Sequence, residues 1–402
     1  MGSNVVVTRR NVFQRLGDSI KGIVVGLIIF LLAFPLLFWN EGRAVKTAKS
    51  LSEGAAAVIS VPASPVDPGN DGRLIHVVAP VEVSETLRDD VFGIEATGAT
   101  GLKRTVEMYQ WREDSRTETR TSVGGTEERV TTYSYRTEWS STLNDSSRFN
   151  NPEGHRNPAQ MPFPDATFRA SSATFGDFRL SDSILSRFSN FENLSLTTEQ
   201  LAAVPESIRN TLTVQDGLLY RGANPTAPQV GDVRIRFERA PAVESSIIGA
   251  QSGLGFAQYQ TSAGRALLFV RTGNHTAEAM FADAMAANVA MTWFLRFLGW
   301  LMLFGGLMAL FKPLAVVASV LPIAGSIVRT GSGIVAFLIA TPIALIVIAI
   351  AWIVFRPLLG ILLLILGIGL AVGLKFVWKK APPAEAQQQA EAVAAAGPPP
   401  EA

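Results

Sequence analysis

The side chains best suited to metal or acid–base chemistry are three histidines, His76, His155 and His275, and the sequence has no cysteine. No two of these histidines lie three or four residues apart, whereas a zinc site takes three or four ligands, usually at close spacing. We therefore predict no metal site and no cofactor. His155, in the string Gly-His-Arg-Asn-Pro at 154–158, is the best candidate for a role. A loop histidine that orients a turn is the simpler interpretation.

Glu107 and Glu138 are the candidate carboxylates, because both lie on segments rich in aromatic residues. Two carboxylates close together could act as acid and base. Cross-strand pairing with arginines such as Arg112 or Arg136 is the alternative, and we favour it. The sequence contains no nucleophile elbow, phosphate-binding loop or dinucleotide-binding glycine motif. We predict that the protein is not an enzyme, and a buried cleft that brings both carboxylates to His155 would favour catalysis instead.

Polar residues beside apolar runs are the remaining candidates. Asn40, Glu41, Gly42 and Arg43 directly follow the first apolar run. They could fix the depth of a helix, contact lipid headgroups or meet the end of a neighbouring helix. Arg296 interrupts a later run, where a guanidinium costs about 3 kcal/mol unless it reaches the surface or is paired. We expect it to extend toward the membrane surface. Pairing inside a helix bundle, beside a lipid or ion cavity, is the alternative.

Long apolar runs near both ends of the chain must position these residues. Hydrophobic residues make up 48% of the 402 residues and charged residues only 17%, below the roughly 25% of soluble domains. The net charge of +1 argues against a nucleic-acid partner. Since a spanning helix takes about 20 apolar residues, we predict transmembrane helices at 22–39, within 276–311, at 334–355 and at 358–376. The first is expected to be retained and not cleaved as a signal peptide.

The helix predicted at 276–311, with Thr276 as its cap, is longer than a bilayer requires, so we expect it to begin as a stalk outside the membrane. The apolar segment 312–333 is predicted to be cytoplasmic or re-entrant. The distribution of lysine and arginine favours a cytoplasmic N-terminus, 1–21, and a cytoplasmic C-terminus. Residues 40–275 then form an extracytoplasmic or lumenal domain. The Ala/Pro-rich tail, 381–402, has little to bury and is predicted to be disordered.

The region 40–275 has the turn residues and period-two alternation of a β domain. Strands are predicted at 74–78, 105–111, 117–121, 128–139, 233–237 and 266–270. The pair Gly124-Gly125 between β-prone runs indicates a hairpin, and Thr197 with Gln200 forms a capping-box pattern for a short helix. The predicted fold class is an integral membrane α-helical bundle of four spans with a large α+β, mainly antiparallel β, extracytoplasmic domain.

Several short strings, in order along the chain, resemble the transmembrane protein 43 (LUMA) family. They are Asn-Glu-Gly-Arg-Ala (40–44), Gly-Arg-Leu-Ile-His (72–76), Val-Glu-Met-Tyr-Gln-Trp (106–111), Tyr-Ser-Tyr-Arg-Thr-Glu-Trp (133–139), Gly-His-Arg-Asn-Pro (154–158), Gly-Asp-Val-Arg (231–234) and Phe-Arg-Pro-Leu (355–358). The resemblance covers 17–380 and adds further interaction candidates, namely Tyr109, Trp111, Tyr135, Trp139, Asn157 and Arg356.

The resemblance implies a multi-span protein with a large lumenal or extracytoplasmic domain. Animal members of the family resemble proteins of the endoplasmic reticulum and inner nuclear membrane, tied to nuclear-envelope organisation, lamin and emerin binding, and self-association. A bacterial member would lie in the inner membrane. We expect a membrane scaffold that forms a homo-oligomer, contacts membrane lipids and other membrane proteins, and binds no nucleic acid. A channel, transport or lipid-handling component that acts as an oligomer is the alternative.

Overall fold

The computed structural model describes residues 4–122, 126–319, 322–358, 361, 362 and 365. The helices are α1 (Val12–Ala57), α2 (Asp182–Leu185), α3 (Thr198–Leu201), α4 (Glu206–Arg209), α5 (Ala277–Ala318) and α6 (Pro322–Phe355). The strands are β1 (Val5–Arg10), β2 (Ile59–Ser60), β3 (Leu74–Glu82), β4 (Leu87–Arg88), β5 (Glu95–Ala96), β6 (Ala99–Thr121), β7 (Glu127–Ser140), β8 (Ala166–Arg169), β9 (Ala173–Phe175), β10 (Phe178–Leu180), β11 (Glu192–Asn193), β12 (Thr213–Gln215), β13 (Leu218–Arg221), β14 (Val233–Pro241), β15 (Glu244–Ser252), β16 (Gly255–Ala257), β17 (Tyr259–Gln260), β18 (Ala266–Leu267) and β19 (Phe269–Thr272).

The part of the chain that the structure describes contains three helices long and apolar enough to cross a membrane: α1, α5 and residues 327–355 of α6. α1 begins at a capping box in which the Asn11 side chain and Gln14 exchange hydrogen bonds. At 1.5 Å per residue, α1 is about 69 Å long, which is more than twice the hydrocarbon thickness. The predicted fourth span, 358–376, lies almost wholly outside the described residues, and so does the predicted tail, 381–402.

Thr276 caps the N-terminus of α5, as the sequence predicts. Its hydroxyl accepts a hydrogen bond from the backbone N–H of Ala279. The helix continues through Pro313 and ends at Ala318. The segment predicted as cytoplasmic or re-entrant, 312–333, is helical at 312–318, as the end of α5, and at 322–333, as the start of α6. Proline is tolerated inside membrane helices because neighbouring groups can satisfy the carbonyl it leaves free.

The β domain consists mainly of two sheets in which nearly all strand pairs are antiparallel. The first has the order β1-β7-β6-β14-β13-β12, with β8 against β6 and β11 against β14. The second has the order β10-β9-β3-β15-β16, with β19 against β15 and β2 parallel to β3. The predicted hairpin is confirmed, because β6 and β7 pair in one continuous register. Its turn, 123–125, lies outside the described residues.

Two apolar cores hold the domain together and attach it to the helices. The larger core lies between the sheets and includes Phe92, Phe175 and Phe237, all with no exposed surface. A smaller core joins the C-terminal end of α1 and the N-terminal end of α5 to the second sheet. It includes Leu51, Phe281 and Ile248. β15 contributes Ile247 to the first core and Ile248 to the second. The domain body therefore sits at the Ala57 end of α1.

The paired strands β6 and β7 extend well beyond the domain body. β6 pairs with β14 only as far as Met108, which lies opposite Val233, the first residue of β14. β6 and β7 stay paired as far as Thr121. Thirteen further residues at about 3.3 Å each give a projection of roughly 43 Å. At its far end β1 adds a third strand, with Arg10 opposite Glu127. We call residues 5–10, 109–121 and 127–139 the hairpin ribbon.

The tip of the hairpin ribbon lies at the opposite end of α1 from the domain body. Arg15, in the first turns of α1, approaches Glu127 at 3.2 Å and donates a hydrogen bond of 2.9 Å to the hydroxyl of Ser319. The tip thus contacts the start of α1 near the end of α5. The sequence prediction assigned all of 40–275 to one side of the membrane, whereas the ribbon reaches along α1 past its apolar segment.

A buried helix junction and a hairpin ladder as candidate sites

The candidate residues on the helices meet at one point, where α1, α5 and α6 pack together. Glu41 on α1 is fully buried and receives two hydrogen bonds from Arg296 on α5, at 2.7 and 2.9 Å. The indole N–H of Trp352 on α6 donates a third bond of 2.8 Å to the same carboxylate. Each of the two carboxylate oxygens accepts one bond from the planar guanidinium. This two-bond geometry is the strongest form of an arginine–carboxylate pair. One acidic side chain therefore connects three helices.

A second set of polar contacts adjoins this carboxylate. It joins the neighbouring residues of α1 to the two helical turns of α5 that precede Arg296. The Asn40 amide donates to the backbone oxygen of Thr292 at 3.0 Å. Arg43 donates to the side-chain oxygens of Asn288 and Thr292, at 3.0 and 2.9 Å. The Asn288 amide in turn donates to the backbone oxygen of Ala44 at 3.1 Å. Buried polar groups that are mutually satisfied fix a single helix register, because any slip would leave them unpaired.

Gly42 and Arg356 complete this region, which we call the helix junction (Asn40–Arg43, Asn288, Thr292, Arg296, Trp352, Phe355 and Arg356). A Cβ on Gly42 would lie 2.7 Å from the ring of Phe355, so α6 can approach α1 only because this residue has no side chain. The Arg356 guanidinium lies 5.8 Å from the ring centre of Trp352. Arg356 therefore stands beside the indole that binds Glu41.

The expectation that Arg296 extends to the membrane surface is wrong. Its side chain is 14% exposed and pairs with Glu41 inside the bundle, which is the alternative that the sequence left open. Trp293 and Trp352 flank the guanidinium at 4.8 and 5.6 Å from their ring centres. Pairing replaces the water that a guanidinium loses on burial, so the arginine needs no route to the surface.

The remaining candidates lie on the hairpin ribbon, at its base on β6, and in the loop that follows β7. We call them the hairpin ladder (Glu107, Tyr109, Trp111, Tyr135, Glu138, Trp139, His155 and Asn157). Asn157 holds the loop 144–157 to β6 through its side chain. It accepts a hydrogen bond of 2.7 Å from the backbone N–H of Trp111 and donates to the backbone oxygens of Trp111 and Asn144. β14 no longer pairs with β6 at this position, so one edge of β6 is open. The two bonds to Trp111 satisfy the backbone groups on that edge.

His155 is held between two aromatic rings of the ladder. It stacks on Tyr135 with ring centres 3.9 Å apart and meets Trp111 edge-on at 4.8 Å. Its Nδ1 also lies 3.0 Å from the backbone oxygen of Asn151. The Tyr135 hydroxyl donates to Glu113 at 2.7 Å, and partial desolvation together with this bond raises the pKa of the phenol. This arrangement agrees with a histidine that orients a loop.

The two candidate carboxylates point to opposite faces of the ribbon. Successive side chains of a strand alternate, and directly opposite residues share a face. Glu107 therefore shares a face with Tyr109, whereas Glu138, opposite Gln110, lies on the other face. The geometry that would favour acid–base catalysis, with both carboxylates and His155 in one cleft, is not met.

Arginine pairing of the carboxylates is confirmed, although one partner differs from the prediction. Glu138 pairs with Arg112 at 3.0 Å and Arg136 at 3.4 Å, as expected. Glu107 pairs instead with Arg234 on β14, at 2.6 Å. The Arg234 guanidinium also lies over the ring of Trp139, and Trp139 contacts Tyr109 at 5.2 Å between ring centres.

Sequence reasoning missed several residues that complete these sites. Trp352, Asn288 and Thr292 are partners in the helix junction, and their only sequence signal is a polar or indole group within an apolar run. Deep in the domain, Asp89 and Arg104 form a fully buried pair at 2.6 Å. Within the described ranges, no group of three or more histidine, aspartate or glutamate residues is placed to hold a metal ion.

The fold and its two sites define a class of membrane protein in which apolar helices are fixed to a large, mainly antiparallel β domain. The family model for transmembrane protein 43 matches residues 108–357. Transmembrane protein 43 from Homo sapiens is 35% identical over 361 residues, covering 87% of this chain and 88% of the relative. The Mus musculus protein is 35% identical over 356 residues, covering 86% and 87%. The Drosophila melanogaster homolog is 32% identical over 349 residues, covering 85% and 91%.

This chain belongs to the transmembrane protein 43 family. No solved structure matches it. The family match begins within β6 and ends just beyond α6, so it includes every residue of the hairpin ladder except Glu107, together with the α5 and α6 residues of the helix junction.

Proposed function

We propose that this protein is a membrane scaffold that self-associates and presents its β domain to partner proteins or lipids without catalytic turnover. The observation that carries this proposal is the helix junction, in which Glu41 connects α1, α5 and α6 through Arg296 and Trp352. Both carboxylate oxygens of Glu41 are occupied by donors from Arg296 and Trp352. The junction therefore supports a fixed architecture more than a reactive or exchanging site.

The attachment of the domain to the helices supports the same role. The Glu53 carboxylate on α1 accepts hydrogen bonds from the backbone and hydroxyl of Ser262, at 2.9 and 2.6 Å. The hydroxyl of Thr261 donates to Ser50 at 2.7 Å. Together with the apolar core around Leu51 and Phe281, these contacts leave no flexible linker between α1 and the domain. A domain held in one orientation suits a protein that sets the spacing of others.

The hairpin ribbon supports self-association. Its outer half carries many charged and hydroxyl side chains, and its tip reaches Arg15 at the start of α1, beyond the apolar segment of that helix. Unpaired strand edges and charged side chains are not tolerated in hydrocarbon, but they are tolerated against protein or water. We infer that the domain body lies on the non-cytoplasmic side, that the ribbon tip lies with the cytoplasmic N-terminus, and that neighbouring copies shield the ribbon from lipid.

A second candidate function follows from the same ribbon. If several copies arrange their ribbons around a common axis, the polar side chains enclose an aqueous path, and the assembly acts as a channel, transport or lipid-handling component. The scaffold and the channel differ in one measurable property. Only the channel conducts ions or transfers lipid after reconstitution of the purified oligomer into sealed vesicles.

Self-association is tested by the mass of the purified particle in a mild detergent and in nanodiscs. We expect an oligomer in both, and a monomer in both would contradict the proposal. The variant Glu41→Gln leaves the buried Arg296 guanidinium unpaired, disrupts the junction and is expected to lower the oligomer fraction. Glu107→Gln makes the same chemical change in a pair outside the bundle and serves as the matched control.

The orientation is tested by thiol labelling, for which the absence of cysteine provides a clean background. Single substitutions Thr119→Cys, at the ribbon tip, and Ser262→Cys, in the domain body, are placed in sealed vesicles with a membrane-impermeant maleimide. We expect Ser262→Cys to react only from the non-cytoplasmic side and Thr119→Cys only from the cytoplasmic side. Labelling of both from one face would contradict the proposed path of the ribbon.

A further inference from the structure

A cavity of about 540 Å³ lies where the ribbon tip meets the start of α1, the end of α5 and the start of α6. We call it the basal cavity. Five cationic side chains and two carboxylates line it, namely Arg10, Arg15, Arg129, Lys312, Arg329, Asp18 and Glu127. Three positive charges are therefore in excess. The rest of the described bundle surface is dominated by exposed apolar side chains, so this concentration of cations is local.

The carboxylates neutralise only part of the basal cavity. Arg10 pairs with Asp18 at 2.6 Å. Arg15 and Arg129 share Glu127, at 3.2 and 3.3 Å. Because Arg129 shares its carboxylate with Arg15, the Arg129 guanidinium keeps donor capacity that an anion can use.

Two cations of the cavity have no anionic partner in the part of the chain that the structure describes. Among the residues described, neither Lys312 nor Arg329 forms an ion pair, and both side chains are exposed. The Nε of Arg129 is buried and has no hydrogen-bond partner within the same residues. A buried donor without an acceptor is costly. These three groups are the ones that a bound anion would satisfy.

The cavity also has an apolar wall, to which α5 contributes Met308, Phe311 and Val316. The first apolar run of α1 starts at Gly22, one turn beyond Asp18, so the cavity lies at the depth where hydrocarbon gives way to headgroups. An amphipathic ligand with a negative group at one end and an aliphatic chain at the other matches both the cationic and the apolar lining.

We propose that the basal cavity binds the phosphate group of an anionic phospholipid. Lys312, Arg329 and Arg129 contact the phosphate, and the first carbons of the acyl chains lie against Met308 and Phe311. Basic pockets between membrane helices on the cytoplasmic side are suited to such headgroups. The bound lipid joins the ribbon tip to the bundle, because Arg129 belongs to β7 whereas Lys312 belongs to α5. The proposal depends on this cavity alone and not on the oligomeric state.

The test is lipid binding to the full chain purified in a neutral detergent and followed by native mass spectrometry. Dioleoyl phosphatidylglycerol is the anionic probe and dioleoyl phosphatidylcholine is the zwitterionic probe. We expect the wild type to prefer phosphatidylglycerol. Each cation near an anionic headgroup is worth about a fivefold change in affinity, so Lys312→Gln with Arg329→Gln is expected to weaken phosphatidylglycerol binding about 25-fold.

The matched control is Arg116→Gln with Arg120→Gln, which removes the same charge from highly exposed positions on the ribbon. We expect it to bind phosphatidylglycerol within about twofold of the wild type. Equal loss in both variants, or equal binding of both lipids by the wild type, would overturn the proposal. The conservative change Arg329→Lys, expected to retain most of the affinity, shows that the loss arises from charge and not from misfolding.

Inorganic phosphate distinguishes a lipid headgroup from a free anion. The proposal expects millimolar phosphate to compete only weakly, because phosphate lacks the acyl contacts with the apolar wall. Complete displacement of phosphatidylglycerol by micromolar phosphate would assign the cavity to the free anion and overturn the lipid proposal.

Discussion

The helix junction and the hairpin ladder both consist of carboxylate–arginine pairs flanked by aromatic rings, but they differ in exposure. Glu41 has no exposed surface, and its partner Arg296 is 14% exposed. In the ladder, the side chains of Glu107 and Arg234 are 22% and 31% exposed. Water screens the second pair and can replace either partner, whereas water does not reach the carboxylate of the first. The same chemical pair is therefore a structural requirement in one region and a modest contributor in the other.

The comparison also separates what each region holds together. Helix-junction contacts join residues more than 240 positions apart, such as Arg43 with Asn288 and Glu41 with Arg296. Ladder contacts mostly join neighbouring strands or the loop that follows them, as for Asn157 and Trp111. Loss of the junction is expected to loosen the whole bundle, whereas loss of a ladder contact loosens one loop or one strand pair.

Glu41→Gln is expected to have the largest effect on stability. The amide keeps the shape of the side chain but leaves the buried guanidinium of Arg296 without a counter-charge, which costs about 3–5 kcal/mol. Thermal unfolding in detergent, followed by tryptophan fluorescence, is expected to show a clearly lowered midpoint.

The control for this prediction removes both charges together. Glu41→Leu with Arg296→Met replaces the pair by apolar side chains, and such replacements are often neutral. We expect the double variant to unfold closer to the wild type than Glu41→Gln does. If Glu41→Gln melted at the wild-type temperature, the junction would not carry the stability assigned to it.

Gly42→Ala is expected to have the second-largest effect. The new methyl group would lie 2.7 Å from the Phe355 ring, which also packs on Phe38 at 5.1 Å between ring centres and cannot retreat freely. Overpacking of this kind costs about 1–3 kcal/mol. Gly22→Ala is the matched control on the same helix, because nothing lies within 4 Å of its added methyl group. A melting temperature equal for the two variants would show that α6 does not need the close approach at Gly42.

Asn157→Ala is expected to act locally on the ladder. The backbone N–H of Trp111 loses its acceptor and two backbone oxygens lose a donor, at a cost of about 1–3 kcal/mol. Amide hydrogen exchange is expected to rise in the loop 144–157 and to stay unchanged in α1. Asn151→Ala is the matched control, since the described contacts of Asn151 use its backbone. If amide exchange in the loop were unchanged by Asn157→Ala, Asn157 would not anchor the loop to β6.

Sequence patterns predicted the elements of the ladder because its strands have one face inward and one face outward. Alternation identified 105–111 of β6, β-branched and aromatic residues identified 128–139 of β7, and the Gly-Gly pair identified their hairpin. β15 was missed because both of its faces are buried, as Ile247 and Ile248 show. A strand between two cores shows no alternation. The strand β1 was missed because its side chains are exposed on both faces, so it shows no alternation either.

The helix junction was predictable in its residues but not in its pairs. The sequence identified Glu41 and Arg296 because charged side chains beside or within apolar runs are costly and need an explanation. It could not identify their contact, because 255 positions separate them and periodicity describes only neighbours on one helix. The bundle brings them together through close approaches at small residues, such as Gly299 against Leu37. The path of the ribbon beside α1 was likewise not readable from local patterns.

Glu107→Gln is expected to have the smallest effect and completes the comparison, because it is the same chemical change as Glu41→Gln in the other region. Ion pairs that water reaches contribute about 0.2–1 kcal/mol, so the melting temperature is expected to stay close to that of the wild type. Adding 0.5 M sodium chloride distinguishes the regions further. Salt screens the Glu107–Arg234 pair but reaches the buried Glu41–Arg296 pair much less. A double-mutant cycle at each pair is therefore expected to show a coupling that falls with salt in the ladder and persists in the junction. Equal couplings with equal salt dependence would mean that burial does not separate the two regions.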